Sequence, residues 1–175
     1  MRKSFTLIEL IIVIILTSTI YILVFSNFSS NYEKKYSVGL SNIKEFIFKN
    51  FEFQDKLSLV CIEDEGFPCY IFIDGNLKKD IKIENLFSQI PNVYNYDRGL
   101  SKYEFTRVRL DDIEYEVFFE LKINSDRKHK NIVVDTLDEN VYLFSSISKK
   151  IRKFKTTNEI IDSFFDNEIE VKDAL

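Results

Sequence analysis

The beginning of the chain divides sharply into polar and apolar positions. Met1-Arg2-Lys3-Ser4 leads into a run in which every residue from Leu10 to Phe25 is apolar except Thr17, Ser18 and Thr19. Counted from Leu7 to Phe28 the apolar stretch has about 22 residues, and roughly 20 helical residues cross a hydrocarbon core. It contains no Gly and no Pro, which predicts an uninterrupted helix. Its hydroxyls can bond back to the preceding turn. After a polar patch from Ser29 to Lys35, Tyr36, Leu40, Ile43 and Ile47 recur at helical spacing with Phe46 beside them, while Lys44, Glu45 and Lys49 fall off that stripe. The pattern predicts one helix from about Phe5 to about Asn50, roughly 70 Å long. Its first half would lie in a membrane (5–28) and its second half (29–53) on an exported domain.

From residue 54 onward the pattern is that of strands. Leu57–Ile62 and Cys69–Ile73 are apolar runs, and Asp74-Gly75 marks a tight turn into Lys79–Ile83. Glu84 to Ile90 reads as a short helix ended by Pro91. Ile113, Tyr115, Val117, Phe119, Leu121 and Ile123 alternate with Glu114, Glu116, Glu120 and Lys122, the signature of a strand with one buried face. Tyr103 to Leu110 precedes it across Asp111-Asp112. Asn131–Leu137 and Val141–Ile147 follow, joined by Asp138-Glu139-Asn140. About seven strands are expected, all antiparallel. Near the C-terminus Thr156 and Glu159 have capping-box spacing, ahead of a short helix that could bury Ile160, Ile161, Phe164 and Phe165. The predicted fold class is α+β: a long N-terminal helix, transmembrane in its first half, packed on an antiparallel β-sheet domain over 54–175.

Composition narrows the function. The 24 basic and 28 acidic residues give a net charge of −4, with no basic excess to contact phosphates, so nucleic acid is not an expected partner. The single histidine, His129, lies in Asp126-Arg127-Lys128-His129-Lys130 and reads as an exposed loop residue; alone it cannot complete a zinc site. The acidic tail with Glu168, Glu170 and Asp173 lacks the ligand spacing of a calcium loop and reads as solvated. No phosphate cradle, zinc spacing or nucleophile–base pattern is present, so neither an enzyme nor a cofactor is expected. Cys61 and Cys69 flank Glu63 to Pro68, a turn between paired strands. In an exported protein they are expected to form a disulfide contributing roughly 2–3 kcal/mol. In a reducing compartment they would be two core thiols.

Glu9 does not fit a plain anchor. A carboxylate in the first turns of an apolar segment is costly and points to function. Nor does the run fit a secretory signal, being too long and lacking a good small-residue cleavage site. Arg2 and Lys3 precede it and favour a cytoplasmic N-terminus with the C-terminal domain exported.

Together, Lys3-Ser4-Phe5-Thr6-Leu7-Ile8-Glu9 and the apolar run behind it resemble the processing motif of type IV prepilins and type II secretion pseudopilins. Ser4 stands where that family usually has Gly. The resemblance implies a pilin-like fold and a leader peptide over 1–4. It implies cleavage between Ser4 and Phe5 by a prepilin peptidase, N-methylation of Phe5, and an assembly role for Glu9. The expected function is a structural subunit, of the minor type, in a type IV pilus or secretion pseudopilus. Its expected partners are other pilins or pseudopilins, the inner-membrane assembly platform and membrane lipid. The alternative is an anchored, exported binding module, an adhesin or receptor, that never polymerises.

Overall fold

The computed structural model describes residues 7–27, 34–148 and 150–164, and for 22–27 and 34 the backbone alone. The chain divides into two units, Met1–Tyr32 and Glu33–Leu175. In the first, Leu7–Asn27 forms helix α1. Thr17 Oγ1 donates to the carbonyls of Val13 and Ile14 at 2.9 and 3.0 Å, and Thr19 Oγ1 to those of Ile15 and Leu16 at 3.0 and 2.9 Å. Both hydroxyls are thereby satisfied within a mostly apolar helix.

The second unit is mostly β. It opens with strand β1 (Lys34–Ser37), a 3-10 turn (Leu40–Asn42) and the short helix α2 (Ile43–Asn50). Then follow β2 (Lys56–Ile62), β3 (Cys69–Ile73), β4 (Asn76–Glu84), β5 (Asn92–Asn95), β6 (Val108–Leu110), β7 (Ile113–Tyr115), β8 (Val117–Asn124), β9 (Ile132–Asp135), β10 (Val141–Phe144) and β11 (Arg152–Phe154). One sheet has the order β1-β4-β3-β2-β8, a second β11-β10-β9-β5, and β6 and β7 form a separate hairpin. Residues 157–164 are helical.

The main core lies where α2 and the inner faces of the two large sheets meet. Ile43 and Ile47 of α2 pack with Leu57, Leu59, Phe119, Leu121 and Ile123 from the first sheet and Val134 and Phe144 from the second. A smaller cluster fills the far side of the second sheet, where Val133, Val141 and Leu143 meet Ile160 of the C-terminal helix. A third lies on the outer face of the first sheet, where Leu110 of the β6–β7 hairpin meets Val60 and Ile62. Strand β2 is thus covered on both faces, which is why Leu57–Ile62 reads as a continuous run rather than an alternation.

The expected long helix on an antiparallel sheet is not what the chain forms. Helix α1 is described over Leu7–Asn27, and from Lys34 onward the segment assigned to its second half forms β1, the 3-10 turn and α2. Tyr36 keeps its place in the apolar core, but from a strand. Lys34–Ser37 takes hydrogen bonds from β4 in parallel, so the sheet is mixed. Gly39 is extended, with φ −72° and ψ 148°, and helical geometry resumes only after it. A sheet edge with free hydrogen-bonding groups here overrides a helical period that four apolar residues satisfy equally well.

Two local expectations also change. Glu84 to Ile90 forms no helix; Leu86 and Phe87 are buried instead through an irregular segment, with the Phe87 ring 5.5 Å from Phe118 and 5.1 Å from Phe119. The Ile113–Ile123 alternation is broken at Glu116, where the chain leaves its partner β6 and joins β2. The switch coincides with a register shift between Cys61 and Ile62.

Candidate functional site

The N-terminal motif reaches the described structure at Leu7. Ser4 and Phe5, the expected processing and methylation positions, lie outside the described residues, as does the acidic tail with Glu168, Glu170 and Asp173. Glu9 is exposed in the first turn of α1, the end of a helix where the macrodipole favours a carboxylate. The side chains around it are apolar and exposed on every side of the helix, including Leu7, Ile8, Ile11, Ile14 and Ile15. The side chains described in α1 stop at Tyr21, and among the described residues no helix is long and apolar enough to cross a membrane. The transmembrane half of the expected helix is therefore not found among them.

Cys61 and Cys69 face one another across β2 and β3, with Cα atoms 4.0 Å apart, and are joined by a disulfide. Both are fully buried. The loop they close turns through Gly66 and Phe67, both at positive φ, and Phe67 N–H donates to the Asp64 carbonyl at 3.0 Å. The next hairpin turns at Asp74-Gly75, with φ of 51° and 84°. Asp74 accepts from the backbone N–H of Asp55, Lys56 and Gln54 at 2.8, 3.0 and 3.2 Å. Those hydrogen bonds, led by the one from Asp55, hold its carboxyl below the usual range.

His129 is not the exposed loop residue that its charged neighbours suggest. It is 7% exposed and pairs with Ile123 of β8 through an isolated antiparallel bridge. Burial pushes its imidazole below the ordinary value; the Lys130 carbonyl, 2.8 Å from Nδ1, acts the other way, and the charge of Lys44 adds to the depression. Lys44, expected off the apolar stripe of α2, is 3% exposed. Burial lowers its pKa, and its ammonium donates to the carbonyls of Ser145 and Ser148. The signal for Lys44 is in the sequence: it lies four residues after Leu40 and three before Ile47, on their face of the helix. Nothing in the sequence near His129 signals its burial.

A cavity of about 260 Å³ adjoins His129, lined also by Tyr103, Glu120, Lys122, Asn124 and Lys130. Glu120 is engaged by Lys122 at 3.2 Å, and the Lys130 ammonium lies over the Tyr103 ring. Among the described residues no group of His, Cys, Asp or Glu could hold a metal ion. No known protein family, curated protein or solved structure matches the chain.

Proposed function

We propose that the chain is a structural subunit of a type IV pilus or type II secretion pseudopilus. In this reading a prepilin peptidase cleaves between Ser4 and Phe5 and methylates Phe5. The protein is held in the inner membrane, single-pass, through its apolar N-terminal sequence, which runs on to Phe28. Its N-terminus is cytoplasmic, and the β-rich unit is periplasmic or extracellular.

The observation that carries the reading is the motif Lys3-Ser4-Phe5-Thr6-Leu7-Ile8-Glu9 running directly into a helix that is apolar all round. Such a surface needs lipid or neighbouring helices to cover it. The disulfide between Cys61 and Cys69 supports export, because such bonds persist in oxidising compartments. Cleavage would free an ammonium at Phe5, one helical turn from Glu9. Between neighbouring subunits the carboxylate of one and the amine of the next could pair away from water. An uncompensated charge there is costly, which would fix one axial register between subunits.

The test is a Glu9→Leu substitution in the full chain, expressed with its native neighbours and cross-linked in the membrane. The reading expects the variant to reach the membrane as the unsubstituted protein does while cross-links to other subunits fall sharply. Cross-linking at the unsubstituted level would remove the assembly role of Glu9.

A further inference from the structure

A polar network ties three parts of the β-rich unit together. His129 N–H donates to Ser146 Oγ at 3.4 Å, and Ser146 N–H donates to Asn131 Oδ1 at 2.6 Å. Lys44 reaches the same loop from α2, donating to the Ser145 and Ser148 carbonyls at 3.0 and 2.7 Å. These carbonyls solvate the buried ammonium without neutralising it. The loop also carries Ile147, 95% exposed, so its release exposes no apolar side chain at that position.

The ring of His129 has only one protonation state that suits this network. A carbonyl only accepts, so Nδ1, 2.8 Å from the Lys130 oxygen, carries the proton. Nε2 is then the lone-pair side. It is buried, and among the described residues it has no hydrogen-bond partner. A proton added there would have no acceptor and would lie within the field of Lys44.

The other charges nearby are already committed. Across the cavity Glu120 is held by Lys122 at 3.2 Å, and Lys130 lies 4.5 Å from the Tyr103 ring centroid. In the loop leading to His129, Asp126 pairs with Lys128 at 3.0 Å, and Arg127 lies over the Phe48 ring at 5.4 Å.

We propose that His129 and Lys44 form an acid-operated latch: neutral His129 keeps the 145–148 loop closed against α2, and protonation of His129 beside the buried Lys44 ammonium opens it. The sign follows from linkage. In the open form His129 takes up its proton near an ordinary value of about 6.5. In the closed form it does so only at lower pH, so acid favours the open form. Between those two values the opening equilibrium rises by up to about tenfold per pH unit.

Because the chain has one histidine, selective 15N-histidine labelling of the full protein in detergent gives a single pair of ring signals. The latch predicts a proton on Nδ1 at neutral pH and a titration midpoint below 6.5. It also predicts that hydrogen-exchange protection of the Ser146 amide, which donates to Asn131 Oδ1, falls between about 6.5 and that midpoint. A His129→Asn variant, which cannot titrate, should keep this amide protected at acid pH. A midpoint at or above the ordinary value, or loop protection unchanged through the titration, would overturn the proposal. Both outcomes are read on the unsubstituted protein, whether or not the variant folds.

Discussion

Reduction of the Cys61–Cys69 bond is the perturbation whose size follows most directly from the structure. The two residues are directly opposite in β2 and β3 and fully buried. Reduction keeps both side chains and removes the covalent link, so the chain-entropy part of the effect falls on the unfolded chain. The bond closes a loop with a sequence separation of 8. The chain-entropy relation gives about 2.6 kcal/mol for a loop of that size at 25 °C. With a urea m-value of about 2 kcal/mol/M, the unfolding midpoint should fall by about 1.3 M. The chain has no Trp, so the transition is best followed by far-UV circular dichroism on the full protein in detergent, oxidised and refolded with reductant. Equal midpoints would refute the reasoning, because they would mean that the unfolded loop was already closed without the bond.

Two further outcomes follow from the core and the first hairpin. Phe119 is fully buried, with the Phe87 and Phe144 rings 5.1 and 5.8 Å away, so Phe119→Ala should destabilise the domain by about 3–5 kcal/mol in the same urea experiment. Asp74→Asn keeps a residue that tolerates the turn's positive φ but removes the charge that three backbone N–H groups stabilise. Because the carboxyl pKa is depressed in the folded state, its contribution is present above the unfolded value and is lost as pH falls through the folded one. The variant should therefore be less stable than the unsubstituted protein at neutral pH and approach it in acid; a pH-independent difference would show that the charge is not the cause.

What could be read from the sequence is what local chemistry decides. Asp74-Gly75 forms the expected turn because the Asp and Gly tolerate its positive φ angles, and Asp111-Asp112 turns likewise between β6 and β7. The capping pair is in place, with Glu159 N–H donating to Thr156 Oγ1 at 3.4 Å and Lys155 N–H donating back to Glu159 Oε2 at 3.1 Å. Strands β9 and β10 pair across Asp138-Glu139-Asn140. What could not be read depends on residues far apart in the chain. Tyr36, Leu40, Ile43 and Ile47 satisfy a helical period, yet the first of them joins a strand because β4, some forty-five residues on, offers its edge. Leu86 and Phe87 are buried without a helix because the Phe118 and Phe119 rings receive Phe87. His129 looks like a surface charge until the bridge to Ile123 encloses it; the spacing of Lys44 from Leu40 and Ile47 is in the sequence, but the Ser145 and Ser148 carbonyls that receive its ammonium are not. At the N-terminus, Glu9 and the apolar run are plain in the sequence, while Ser4 and Phe5 lie outside the described residues.

The central claim is that the N-terminus is processed, and the intact mass of the protein isolated from its native membranes tests it most directly. The account predicts a mass lacking Met1 to Ser4 and carrying one added methyl group on Phe5. A full-length, unmethylated mass would contradict it and leave an anchored β-domain in which Glu9 has no amine to meet.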